Sequence, residues 1–161
     1  MNTPNKANFG ELLAKTILPK VQLIAMLVTA IGLVFHFLNL SGSTDMLMVG
    51  FSTLAATFFL SAFALVSTTS TSKHSSIALL LYKVMYLSAP VILIGTLFNF
   101  LKLEGYQQML LVGCVSLGGA IIFSATQIGN PDNLVILKKP LLTTLPVLLL
   151  GIYFLYKLST L

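Results

Sequence analysis

Long apolar segments alternate with short polar ones along the 161 residues of this chain. Five of the apolar segments are about 20 residues long, which is the length of a helix that crosses the hydrocarbon core of a bilayer. The pattern predicts helices over Val21–Leu40, Met46–Val66, Val84–Leu103, Met109–Thr126 and Leu141–Leu158. We therefore expect an all-α polytopic membrane protein with five transmembrane helices.

The segments between these helices differ in length and polarity. Residues 41–45 and 104–108 are tight turns, which predict two helical hairpins, whereas two other connections are longer and polar. The chain divides into a cytoplasmic tail with a short interfacial helix (1–19), a first hairpin (20–66), a polar cytoplasmic loop (67–82), a second hairpin (83–126), a second cytoplasmic loop (127–140) and a fifth transmembrane helix (141–161).

The interfacial helix is predicted from apolar residues at helical spacing ahead of the first span. These residues are Phe9, Leu12, Leu13, Thr16 and Ile17, and Pro19 closes the run. A helix of this kind lies on the cytoplasmic membrane surface. A frayed tail is the alternative for so short a segment.

The two hairpins share a sequence. Residues 20–62 aligned with residues 83–125 without a gap give identical residues at 17 of 43 positions. The identical pairs include three glycines, Gly32 with Gly95, Gly42 with Gly105 and Gly50 with Gly113. Composition alone does not align glycines, so we infer an internal duplication. Because each copy has two spans, both copies start on the same membrane side, which makes the repeats parallel and leaves the fifth helix outside their symmetry.

Composition and charge agree with a membrane location. Hydrophobic residues make up 57% of the chain and charged residues 8%, against about 25% charged in soluble domains. All nine basic residues are lysines, and only Lys102 and Lys157 fall on the side away from the N-terminus. The positive-inside rule predicts a cytoplasmic N-terminus and a C-terminus on the external side. Anionic lipid accounts for the net charge of +5, so no nucleic-acid partner is expected.

Small residues follow one face of the second and fourth predicted helices, three and four positions apart. They are Gly50, Thr53, Thr57 and Ser61 in the second helix, and Gly113, Ser116, Ala120 and Ser124 in the fourth. Small side chains allow helix backbones to approach closely in lipid, where no hydrophobic effect drives association. We interpret both stripes as helix-contact faces.

A polar stripe follows the first and third predicted helices. It consists of Gln22, Thr29, His36 and Asn39 in the first, and Asn99 and Lys102 in the third. Polar groups at membrane depth seldom face lipid, so we expect this stripe to turn inward or toward a partner subunit. His36 and Asn99 are equivalent in the two repeats. A structural role is favoured for His36 over a proton-carrying one, because it is the only histidine predicted at depth.

Catalytic and metal-binding motifs have little support. The single cysteine, Cys114, lies in an apolar helix without a base nearby in sequence. The two histidines, His36 and His74, are predicted on opposite sides of the membrane, so they cannot share a metal ion. We expect neither an enzyme nor a cofactor.

The first hairpin resembles a known family. The runs IGLVFHFLNLSG, MLMVGFST and FFLSAF are similar to the membrane hairpin of the L subunit of the gliding-motility and type IX secretion motor of Bacteroidota. The matching residues are Ile31, Gly32, Phe35, Gly42, Met46, Leu47, Gly50, Thr53, Phe59, Leu60, Ser61, Ala62 and Phe63, with a weaker copy from Ile94 to Ala125. The resemblance covers about half of the chain and implies a subunit of a complex in the bacterial inner membrane.

The chain departs from that family at its polar positions. The family's lysine is replaced by His36 or Asn99, its histidine by Asn39 or Lys102, and its intramembrane glutamate by Leu54 or Leu117. If the motor takes up protons on that glutamate, this chain alone is not a proton-driven motor.

Two classes of function remain. The favoured class is a non-enzymatic integral membrane subunit with a structural or assembly role, linked to gliding motility or type IX secretion. Its expected partners are the lipid bilayer and either other membrane protein subunits or further copies of itself. The alternative is a small channel or transporter with a polar path between the first and third helices.

Overall fold

Five helices form the described parts of the computed structural model, which are residues 16–64, 76–127 and 131–159. They are α1 (Leu18–Phe37), α2 (Ser43–Ala64), α3 (Ser76–Phe100), α4 (Tyr106–Gln127) and α5 (Pro131–Ser159). Each contains a segment long and apolar enough to cross a membrane. The predicted fold class, an all-helical protein with five membrane spans, is confirmed.

Helix α3 lies at the centre of the bundle. It contacts α2, α4 and α5, while α1 contacts α2 and α4 contacts α5. More than half of the α3 span is buried (56%), against 22% for the spans of α1 and α5. α1 is therefore an edge helix that α2 holds in place.

The core is formed where α2 and α4 meet α3. Its most deeply buried large side chains include Phe51 of α2, Met85 and Ile92 of α3, and Leu110 and Leu117 of α4. Large apolar side chains also cover the outside of the bundle, for example Leu23, Leu111 and Ile122. A helix that is apolar on all sides suits a lipid environment, where the outer face needs no polar residues.

Several buried serine and threonine hydroxyls donate within their own helices. Thr96 donates to the Ile92 carbonyl at 2.8 Å, and Ser124 donates to the Ala120 carbonyl at 2.7 Å. Because no water competes for these groups in a hydrocarbon environment, a local acceptor removes the cost of burying the hydroxyl. Small polar residues can therefore occupy helix contacts without a cross-helix partner.

Both hairpins end their first helix with the same turn. Asn39 and Lys102 have φ of 52° and 54°, in the left-handed region that residues other than glycine rarely adopt. Asn39 N–H donates to the His36 carbonyl at 3.2 Å, and Lys102 N–H donates to the Asn99 carbonyl at 3.2 Å. The Leu40 N–H donates to the Phe35 carbonyl at 2.9 Å, and the Leu103 N–H donates to the Phe98 carbonyl at 2.9 Å. This pair of bonds is the Schellman motif, which caps free carbonyls at a helix C-terminus.

Helix boundaries differ from the sequence prediction at two places. α5 begins at Pro131, so most of the loop predicted over 127–140 is helical, and α3 begins at Ser76 within the loop predicted over 67–82. Proline suits the first turn of a helix, where its missing N–H would have no partner. Pro19 likewise lies in the first turn of α1. The interfacial helix predicted within 1–19 lies mainly outside the described residues.

Candidate functional site

Charged residues of the described helices and turns lie in two bands. One band consists of Lys20 in the first turn of α1 and of Lys83 and Lys138, each two turns inside its helix. Asp45, Lys102, Glu104 and Lys157 form the other band. The rise from Lys83 to the end of α3 is about 26 Å at 1.5 Å per residue, close to the hydrocarbon thickness of about 30 Å. No Asp, Glu, Lys or Arg of the described helices lies between the bands. The membrane interior of this bundle is uncharged.

The polar stripe does not form one continuous row. Asn39 and Lys102 were predicted inside the first and third spans, but they are exposed residues of the two Schellman turns. His36 and Asn99 are half-buried in the last turns of α1 and α3. These four polar residues therefore lie at the membrane boundary, because the helices end three residues earlier than the apolar pattern suggested.

His36 meets α3 through an aromatic contact. Its ring lies edge-on to Phe100, with centroids 4.9 Å apart and planes at 81°. Phe100 in turn contacts Phe51 of α2 at 6.0 Å and Phe154 of α5 at 5.3 Å. Among the described residues, the His36 ring makes no hydrogen bond. His36 thus joins α1 to an aromatic cluster beside Asn99, its equivalent in the second hairpin.

The remaining stripe residues, Gln22 and Thr29, lie deeper along α1. Thr29 is buried and donates its hydroxyl to the Ala25 carbonyl at 2.8 Å. Gln22 is half-buried, and its carboxamide has no hydrogen-bond partner among the described residues. Both side chains line a groove between helices, which was not predicted from the polar stripe.

This apolar groove has a volume of about 350 Å³ and lies between α1, α2, α3 and α5. Its walls are Gln22, Met26, Thr29, Ala30, Leu33, Phe51, Leu54, Phe58, Leu93, Leu142, Thr143, Pro146, Val147 and Leu150. Met26 and Leu142 are mostly exposed, which places the opening of the groove between the two edge helices α1 and α5. Its existence depends on the distance between these two helices, which periodicity along either helix does not determine.

Most residues of the small stripes are buried. Gly50, Thr57, Ser61, Gly113, Ala120 and Ser124 are buried, Thr53 is half-buried and Ser116 is exposed. The Tyr82 hydroxyl of α3 donates to the Ser61 carbonyl of α2 at 3.3 Å. The stripes thus lie largely at helix contacts, with Ser116 on the outer surface.

Gly151 lies where α5 packs closely against α3 and α4. A β-carbon added to Gly151 would lie 2.7 Å from Cys114 Sγ and 2.8 Å from Ile92 Cγ2. Real Cβ atoms essentially never come so close to other heavy atoms, so a larger residue here would have to displace the side chains of Cys114 and Ile92. The half-buried free thiol of Cys114 therefore lies at a three-helix contact.

Among the described residues, no group of three His, Cys, Asp or Glu side chains lies close enough together to hold a metal ion. The fold and the two charge bands define a polytopic helical membrane protein in contact with lipid. Comparison with protein-family models, curated proteins and solved structures finds no significant match to this chain.

Proposed function

We propose that this chain is a non-enzymatic subunit with a structural or assembly role in a bacterial inner-membrane complex. The observation that carries the proposal is the uncharged interior between the two charge bands. Proteins that move ions or protons keep ionisable groups at membrane depth. A bundle in which buried threonine and serine hydroxyls bond within their own helices is suited to hold its neighbours in position.

The matched hairpins support a scaffold built by duplication. Gly32 lies against Leu47 as Gly95 lies against Leu110, with an added β-carbon 3.2 Å and 3.1 Å from the respective backbone nitrogens. The two Schellman turns agree in dihedral angle and hydrogen bonding. Two copies of one hairpin would present related surfaces to the rest of a complex.

The outer face of α1 is the surface we propose for a partner subunit or a second copy. Leu23, Leu27, Ile31 and Val34 are all exposed on the side of α1 that does not contact α2. The half-buried ring of His36, at the end of this helix, packs edge-on against Phe100 but makes no hydrogen bond to any described residue, so its nitrogens are open to a polar group of a partner. Gly50 fixes α1 against α2, so this face is presented by a rigid pair of helices.

The lysine distribution supports an orientation. Lys20, Lys83 and Lys138 lie in one band, whereas Lys102 in the other band has Glu104 two residues away in the same turn. By the positive-inside rule the first band is cytoplasmic, which places the start of α1 in the cytoplasm and the end of α5 in the periplasm. The resemblance of the first hairpin makes the gliding-motility and type IX secretion machinery the first complex to test.

A channel or transporter is the second candidate, favoured by the groove with Gln22 and Thr29 in its wall. The groove ends on buried apolar side chains, including Leu54, Leu93 and Val147. Gly95 of α3 lies directly against the backbone of α4 at Leu110, so these two helices leave no space for a path at this level. The groove therefore does not lead from one charge band to the other.

A photo-crosslinking residue at Val34, on the outer face of α1, tests the proposed function in the native membrane. Val112 on α4, which is similarly exposed and lies in the same leaflet as Val34, is the matched control position. We expect Val34 to crosslink one defined polypeptide, which co-purifies in gentle detergent and is identified by mass spectrometry. Lipid adducts alone at both positions, with a monomeric protein after extraction, would refute the proposal.

A further inference from the structure

The apolar groove extends through one leaflet of the membrane. Along α1 it runs from Gln22 to Leu33, a rise of about 16 Å. Half of a hydrocarbon core is about 15 Å. Gln22 lies only two residues from Lys20, so the groove begins close to the lysine-rich band and ends near the middle of the membrane.

Polar groups are concentrated at the lysine-rich end of the groove. Gln22 and Thr143 lie there, while Leu33, Phe51 and Leu150 line the deeper part. The third polar residue of the wall, Thr29, lies deeper, and its hydroxyl donates to the Ala25 carbonyl. Lys138 is exposed and precedes Leu142 of the groove wall by one helical turn, on the same face of α5. The groove is thus apolar at depth and offers at its mouth a cation and a carboxamide that bonds to no described residue.

The volume decides what can occupy the groove. An apolar cavity of about 150 Å³ holds one benzene, so 350 Å³ holds about 14 carbon atoms by the same ratio. A helix about 10 Å wide would need about 1,200 Å³ over the same 16 Å. A single hydrocarbon chain fits this space, and a partner helix does not.

We propose that the groove binds one acyl chain of an anionic membrane lipid from the leaflet on the Lys20–Lys83 side. The phosphate group lies toward Lys138, and the Gln22 carboxamide donates to a glycerol or ester oxygen. The acyl chain fills the space between the edge helices α1 and α5, which otherwise have little contact with each other. The lipid therefore acts as a structural element of the bundle.

Tryptophan fluorescence quenching by brominated lipids tests this site, because the chain contains no tryptophan. Met26→Trp places a reporter at the mouth of the groove, and Phe123→Trp places one on the lipid-facing side of α4 in the same leaflet. The two native side chains are similarly exposed, 59% and 62%. Each variant is reconstituted in mixed phosphatidylcholine and phosphatidylglycerol vesicles, with bromine on the acyl chains of one lipid at a time.

We expect Met26→Trp to report a preference for phosphatidylglycerol of about fivefold, which is the effect of one lysine near an anionic headgroup. Phe123→Trp should report none. Lys138→Gln should remove the preference at Met26→Trp, while Lys157→Gln, in the opposite band, should leave it unchanged. Leu142→Trp, on the opposite wall, gives the same readout if Met26→Trp does not fold.

Two results would overturn the proposal. Equal lipid preference at the groove and on α4 would show that the groove selects no headgroup. Much weaker quenching at Met26→Trp than at Phe123→Trp by both lipids would show that the groove is closed or filled by protein.

Discussion

Gly50 of α2 lies directly against the backbone of Thr29 of α1. A β-carbon added to Gly50 would lie 2.9 Å from both the Cα and the N of Thr29, a distance that real Cβ atoms do not show. The equivalent pair in the second hairpin is Gly113 and Ile92, where the added β-carbon would meet Ile92 Cγ1 at 2.6 Å. Each hairpin is therefore closed by a glycine contact at the same position.

Gly50→Ala should destabilise the protein by about 1–3 kcal/mol, because the new methyl group must push α1 away from α2. Gly119→Ala is the control, since nothing lies within 4 Å of its added β-carbon. That substitution should be neutral or stabilise α4 by about 0.5–1 kcal/mol. Unfolding in detergent measures both, and equal stability of the two variants would contradict the contact.

Thr57→Leu should destabilise the protein, whereas Ser116→Leu should leave its stability nearly unchanged. Thr57 is 5% exposed and its hydroxyl bonds the Leu54 carbonyl at 2.8 Å, so leucine should overpack the site and cost about 1–3 kcal/mol. Ser116 is exposed on α4, where leucine should change stability by less than about 0.5 kcal/mol. Thermal unfolding of both variants in one detergent is the measurement, and an unstable Ser116→Leu would place that residue at a contact instead.

Lys102→Gly should stabilise the second hairpin by about 1 kcal/mol. Lys102 has φ of 54°, a conformation that costs a residue with a β-carbon about 1–2 kcal/mol and costs glycine nothing. Lys102→Ala removes the charge and keeps the β-carbon, so it should not raise the stability of the protein. If the alanine variant is as stable as the glycine variant, charge and not backbone strain explains the effect.

The sequence predicted the number and order of the spans because each apolar segment matches the thickness of a bilayer. It also predicted both hairpin turns, but it placed Asn39 and Lys102 inside the spans. Asn39 carries a signal that could have corrected this, since asparagine tolerates the left-handed conformation at a helix C-terminus. Lys102 carries none of its own, and only its alignment with Asn39 points to the turn.

The groove and the neighbours of His36 could not be predicted from the sequence. Helices that are apolar on every side give a weak periodic signal, so the pattern does not say which face of α1 meets another helix. The side of α1 carrying Gln22 and Leu33 faces the groove, while Thr29 also contacts Gly50. Only the positions of α2, α3 and α5 in space separate these faces.

Single cysteines at the two ends of α1 should report the orientation of the protein. Thr16→Cys and Ser41→Cys, both at exposed positions, are introduced into a Cys114→Ala background. A membrane-impermeant maleimide added to intact spheroplasts should label Ser41→Cys. It should label Thr16→Cys only after the spheroplasts are lysed. Labelling of Thr16→Cys in intact spheroplasts would reverse the proposed topology.

Ion flux in proteoliposomes tests most directly whether the bundle is a closed scaffold or a conduit. The uncharged interior between Lys83 and the turn at Lys102 predicts no proton or cation flux above that of empty vesicles, for protein shown to be folded by its thermal transition. Flux well above empty vesicles that disappears in Gln22→Leu or His36→Leu would contradict the scaffold and establish a conducting path along α1.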